Sequence, residues 1–475
     1  MHKSMLCAGL LALATVQYAT AADCIWTGGG ANSNWSNPAN WNNCSGAHAL
    51  PTDGDALGFS GTALRLTNNN DLVKLMADIL VIAGPVNISG NSIGLSGGLY
   101  AGVPLAAATS PIVNLGIVLQ TNPQTFDCSP VHKPLFLGGT INLNGQKLTL
   151  NSDCNMFLTG KITGAGGITK VGAVTAFLEG SSSNYTGITA INEGKVRLVS
   201  SSALGASGDG NETVVADGAA LELEDIATAE ELTLSGAGVS NQGALFASAG
   251  NNTLAGAMTL AASSTVNVAA GTNLSIEGAI GGDSVSLTKI GAGTLVLQGL
   301  GTYNGSTIAD NGWLEVNGTV SVVSAHAGAT VAGNGRATIG LSIQSGGAFS
   351  PGTGAGANIG TFDTSALNWS GGGTMVFQLG ADSARSDHLV SHTFNISGSG
   401  FEFQFSDGAA PPVPGVAYTL VSFSSTDVTA GDFSFTYVGT GPGSGMTGTF
   451  ALTSTELQFT PTTVVSDLIF HDGLE

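Results

Sequence analysis

Residues 285–316 read VSLTKIGAGTLVLQGLGTYNGSTIADNGWLEV, and residues 166–198 read GGITKVGAVTAFLEGSSSNYTGITAINEGKVRL. With one extra residue allowed in the earlier stretch, Lys170 aligns with Lys289, Gly172 with Gly291, Leu178 with Leu297, Gly180 with Gly299, Tyr185 with Tyr303, Gly187 with Gly305 and Gly194 with Gly312. Each copy reads as three short strands of alternating apolar and polar residues joined by glycine-marked corners. The segments before the copies also correspond, Gly160-Lys-Ile-Thr-Gly against Gly278-Ala-Ile-Gly-Gly. Such a unit cannot bury its apolar side alone, and stacking neighbours into a continuous core is the stable solution.

Outward from this pair the same grammar continues from about Ile79, as in Thr140-Ile-Asn-Leu-Asn, Ala220-Leu-Glu-Leu-Glu and Asn273-Leu-Ser-Ile, with turns marked by Asn144-Gly145 and Asp217-Gly218. The expected fold is all-β: a right-handed parallel β-solenoid with a disulfide-linked N-terminal cap and a small β-rich C-terminal region. A β-sandwich array would require linkers between modules, and none precedes about residue 340. The organisation reads as a signal peptide at 1–21, a cap at 22–78, the solenoid at 79–345, a solenoid end and β-rich region at 346–460, and a tail at 461–475.

Composition agrees. Glycine contributes 71 of 475 residues, which disfavours long helices because each interior glycine costs about 1 kcal/mol against alanine. Only 9% of residues are charged, while 43% are hydrophobic, enough for a large core. The 12 basic residues against 32 acidic ones give a formal net charge of -20, so no basic surface exists for nucleic acid or for a polyanionic polysaccharide.

The opening Met-His-Lys, the apolar run Met5 to Val16 and the Ala19-Thr20-Ala21 site read as a secretory signal. No later stretch reaches the roughly 20 apolar residues of a membrane span. Past the signal stand Cys24, Cys44, Cys128 and Cys154, an even number consistent with two disulfides in an oxidising compartment. Proximity favours Cys24 with Cys44 and Cys128 with Cys154, although four cysteines allow three connectivities.

Catalytic signals are weak. The densest acidic run is Glu222, Glu224, Asp225, Glu230 and Glu231, with no basic residue between Arg197 and Lys289. Glu222 and Glu224 would share the outer face of one strand about 7 Å apart, a spacing compatible with glycosidase chemistry but ordinary for a solvated strand. His388 and His392 would lie about 13 Å apart on a strand, too far for one metal. Gly90-Asn-Ser92-Ile-Gly94, Gly94-Leu-Ser96-Gly-Gly98 and Gly443-Ser-Gly445-Met-Thr-Gly448 match nucleophile-elbow and dinucleotide patterns without the helix that gives them meaning. No cofactor and no metal is expected. Trp26, Trp35 and Trp41 would cap the open end of the coil, with a sugar-stacking platform as the alternative. Tyr185 and Tyr303 would pack within the rungs.

The segment LTKIGAGTLVLQGLGTYNG closely resembles the autotransporter-associated β-strand repeat, also called the passenger-associated transport repeat, of Gram-negative autotransporter passengers. Lys289, Gly291, Gly293, Thr294, Leu295, Gly299, Tyr303 and Gly305 carry the match, and Val174 and Ala176 depart from it in the earlier copy. The stretch Trp26-Thr-Gly28 to Trp35-Ser-Asn-Pro38-Ala-Asn40-Trp41 is similar to the opening of such passengers. Gly346-Gly-Ala-Phe-Ser-Pro351-Gly352 and Ser386-Asp387-His-Leu are similar to their solenoid-end motifs. Classical members end in a translocator barrel of ten or more strands, for which no room follows here. The end, Ile469-Phe470-His-Asp472-Gly473-Leu-Glu475, resembles a short tail that closes exported proteins of some gammaproteobacteria, expected to be a sorting signal.

The resemblance implies an exported or outer-membrane-surface protein, adhesive or structural and non-enzymatic, whose partner is a surface receptor or a glycan. The alternatives are a β-helix enzyme acting on a neutral polysaccharide and a carbohydrate-binding protein.

Overall fold

Alternation, not intrinsic propensity, builds the strands. In Ile168–Val171, Thr175–Leu178, Leu287–Ile290 and Thr294–Leu297 every second residue is buried and the others are partly exposed. The computed structural model describes residues 23–44, 48–121, 123–128, 132–354, 358–438 and 445–463. It is a parallel β-solenoid of about 15 turns with only 3% helix. The expected signal peptide at 1–21 and most of the expected tail at 461–475 lie outside the described residues, as does part of the Gly443–Gly448 pattern.

Three faces recur in order around each coil. On the first, inward-facing residues stack as one column, Cys24, Leu57, Leu80, Leu99, Phe126, Leu150, Lys170, Ile191, Val215, Leu234 and Leu260. The second carries Leu135, Met156, Ala176, Val196, Leu221, Leu245, Val266, Lys289, Ala309, Ala325, Ile343 and Trp369. The third carries Leu274, Leu295, Leu314, Val331, Phe349, Met375, Phe403 and Phe435. These columns form one continuous core along the axis.

The repeat copies differ from the sequence reading in two ways. Each contains four strands rather than three: Ile168–Val171, Thr175–Leu178, Thr189–Ile191 and Lys195–Leu198 in the first, Leu287–Ile290, Thr294–Leu297, Ser306–Ala309 and Gly312–Val316 in the second. A copy therefore covers a full coil and returns onto itself, Lys170 pairing with Ile191 and Lys289 with Ala309. The third strand of the reading hid two, because a corner glycine, Gly194 or Gly312, divides it. The copies also start on different faces, the first on the first face and the second on the second.

Parallel pairing starts with Cys24–Trp26 against Leu57–Ser60 and reaches Phe433–Tyr437, so the coil runs unbroken across residues 78/79 and 345/346. At the start, Trp41 pairs antiparallel with Trp26. Trp26, Trp35 and Trp41 are buried and meet edge to face at 5.2 and 5.4 Å, against Phe59. Each indole N–H is satisfied: Trp26 donates to the Arg65 carbonyl, Trp35 to Asn68 Oδ1 and Trp41 to the Trp35 carbonyl. The cap reading of these tryptophans stands, and burial leaves no ring face for a sugar. Cys24 is bonded to Cys44 within the cap, and Cys128 to Cys154 across neighbouring coils. At the other end Glu456–Thr463 runs antiparallel to Tyr418–Ser422 and to Thr447–Leu452, and Phe450 and Phe459 close over Phe405 and Phe435.

Candidate functional site

The repeated residues point inward. Lys170 and Lys289 occupy positions in otherwise apolar columns and are fully buried. Their stems pack in the core, and each ammonium reaches a corner where three carbonyls converge. Lys170 Nζ donates to Val171 (2.8 Å), Gly172 (2.6 Å) and Glu193 (3.0 Å); Lys289 Nζ donates to Ile290 (3.2 Å), Gly291 (2.6 Å) and Asn311 (2.9 Å). An ammonium has three donors, and all are used. Burial lowers both lysines to about 8. Gly172 and Gly291 sit at these corners with φ of 82° and 79°, a conformation that glycine adopts without strain. The buried Tyr185 and Tyr303 hydroxyls meet Thr189 Oγ1 and Thr307 Oγ1, each at 2.5 Å. Burial raises both phenols, Tyr303 to about 12. A Cβ at Gly293 or Gly305 would collide with the backbone of the coil below.

Stacking changes the reading of the acidic run. Glu222 is buried rather than solvated, and it lies over Arg197 of the preceding coil. Its carboxylate pairs with Lys195 at 2.7 Å and Arg197 at 3.5 Å, and Arg197 also binds Glu224, Nε to Oε2 2.9 Å. The carboxylates thus have bases beside them that lie 27 residues away in the chain. These pairs continue an outward column of the second face, Phe136, Phe157, Phe177, Arg197, Glu222 and Phe246. The three phenylalanines stack at 4.7 and 4.3 Å with planes 8° and 11° apart, and Arg197 covers the last ring at 5.8 Å. Rings stacked along the axis turn their edges to solvent and spend their faces on each other.

The chain matches no family model and no curated protein. Glu231, from the same run, meets Asp209 and Glu212 of the preceding coil at a groove of about 410 Å³ on the first face. Glu230 lies beneath, buried, accepting from Thr213 Oγ1 at 2.7 Å. Burial raises it to about 7, and Glu231 and Glu212 add to the rise. A second groove, of about 500 Å³, lies on the third face over Asn273, Ser275, Thr294, Gln298, Glu315 and Asn317. The sequence reading assigned no role to Glu212, Glu315 or Trp313, since each acquires neighbours only through register.

Asp387, of the Ser386-Asp387 pair, is also buried. It accepts from Gly360 N (2.8 Å) and Gln378 N (2.7 Å), and burial raises it to about 7 against the effect of those donors. It ties one coil to the next. His388 Nε2 meets Ser422 Oγ at 2.9 Å, and burial lowers its pKa. Among the described residues, no group of three or more His, Cys, Asp or Glu is placed to hold a metal ion.

Proposed function

We propose that the protein is an exported, passenger-like β-solenoid of the autotransporter-associated repeat type, with an adhesive or structural role exercised through its outer faces. The carrying observation is that the recurring residues are spent inside the coil. Lys170 and Lys289 hold corner carbonyls, and Tyr185 and Tyr303 bond threonines within the rungs. The repeat therefore encodes a rod, and the outer columns are free to vary. Two disulfides fit an oxidising destination.

Cell fractionation with mass spectrometry of the mature termini tests this reading. The expected result is protein at the cell surface or in the medium, beginning near Ala22. Protein retained in the cytoplasm with Met1 intact overturns it. A second reading, an enzyme acting on neutral polysaccharide, is favoured by the carboxylates Asp209, Glu212 and Glu231 that line one groove, with the buried Glu230, held near neutrality by burial, beneath them. It predicts release of reducing ends from a glycan panel, lost in Glu230→Gln and Glu231→Gln alike.

A further inference from the structure

The chain has five tryptophans. Trp26, Trp35, Trp41 and Trp369 are buried, whereas Trp313 is partly exposed on the outer side of Gly312–Val316, a strand whose Leu314 and Val316 face the core. The repeat supplies an internal control for this position. Aligned through Gly194 and Gly312, Trp313 corresponds to Lys195, and Glu315 to Arg197. Both positions lie on the side of the strand away from the core column, Trp313 partly exposed and Glu315 buried, and the coil forms with lysine and arginine there. Trp313 is thus not a requirement of the architecture.

Register surrounds it with hydrogen-bonding groups. Asn273 pairs with Thr294 and Thr294 with Trp313, while Ser275 pairs with Val296 and Val296 with Glu315. Gln298 and Asn317 extend the same two outer coils. The result is a grid over three rungs, spaced about 4.8 Å, with Trp313 at one corner, next to Thr294, which lines the groove of about 500 Å³. Gln298 Nε2 donates to Ser275 Oγ at 3.1 Å and Asn317 Nδ2 to Glu315 Oε1 at 2.7 Å, and all four residues line the groove.

We propose that this part of the third face binds a neutral polysaccharide chain, with Trp313 stacking on a sugar ring and the amide, hydroxyl and carboxylate groups reading its hydroxyls. Sugar rings present apolar C–H faces to an indole and a rim of hydroxyls that both donate and accept. Nucleic acid and polyanionic glycans do not fit, since the lining has no base, includes Glu315, and belongs to a chain of net charge -20. An added peptide strand does not fit either, because the strands here are paired on both sides within the ladder.

This inference goes beyond the surface-scaffold reading and is tested separately from it, on the purified protein. Cellohexaose, chitohexaose, laminarihexaose and maltohexaose are titrated by calorimetry and by indole fluorescence, with hexagalacturonate as the charged control. At least one neutral hexasaccharide is expected to bind and alter the emission of Trp313. Trp313→Ala should weaken it at least about tenfold, Glu315→Gln should weaken it less, and Arg197→Ala, on the second face, should leave it unchanged. Circular dichroism and Tm of Trp313→Ala should match the parent, because the coil accepts lysine at the equivalent position. Absence of binding by all four at about 5 mM, equal binding by Trp313→Ala, or preference for hexagalacturonate overturns the proposal. Failure here leaves the fractionation result, and the scaffold reading, where they stand.

Discussion

A lysine in a hydrophobic column is costly unless every donor is engaged, and Lys289 meets that condition with three corner carbonyls. Lys289→Met keeps the stem and removes the ammonium, leaving those carbonyls without their donor. The expected loss is about 2 kcal/mol, read as a lower urea midpoint. Glu230 and Asp387 give a pH dependence of defined sign. Both have folded-state values raised to about 7 by burial, above their unfolded values. Their stabilising contribution is complete below about pH 4 and is lost as pH rises through 7. The urea midpoint should therefore be higher at pH 5 than at pH 8. Glu230→Gln retains the acceptor for Thr213, so its advantage over the parent should grow from pH 5 to pH 8 by about 2 kcal/mol.

Coils are held in close register by glycines that stack on one another. A Cβ at Gly299 would collide with the carbonyl of Gly278, one at Gly278 with that of Gly256, and one at Gly318 with that of Gly299. Gly299→Ala must push two coils apart, at an expected cost of about 2–3 kcal/mol. Gly271, at φ 74° with open space around it, is the control: Gly271→Ala meets only backbone strain, about 1 kcal/mol. Equal thermal shifts for the two variants would show that stacking contact is not what the glycine column supplies. The alignment of the copies already marked Gly299 and Gly180 as positional. It did not show that Gly180 and Gly299 serve close approach alone while Gly172 and Gly291 combine a positive φ with close approach to the preceding coil, because both uses leave the same letter in the sequence.

Because each coil touches mainly its neighbours, the molecule approximates a one-dimensional stack whose stability is local. Hydrogen exchange of Gly299→Ala should quicken at Asn273–Ile276 and Thr294–Leu297, while the strands around Leu80 and Leu99 keep their protection. A uniform loss along the rod would mean a single cooperative unit instead. The caps bound this behaviour: the tryptophan cluster at one end and the antiparallel hairpin over Phe405 and Phe435 at the other cover strands that would otherwise pair with a second chain.

The same division separates what was legible in the residues from what was not. By itself the sequence determined that this chain coils and that Lys170, Lys289, Tyr185 and Tyr303 belong to the repeat, because alternation and turn chemistry are local properties. Only the tertiary structure decided that Glu222 lies on Lys195 and Arg197, that Glu212 joins Glu231, that the two copies start on different faces, and that Trp313 stands beside Thr294. Those neighbours depend on the summed lengths of every loop between them, so a single added residue in any coil would change which side chains share a column.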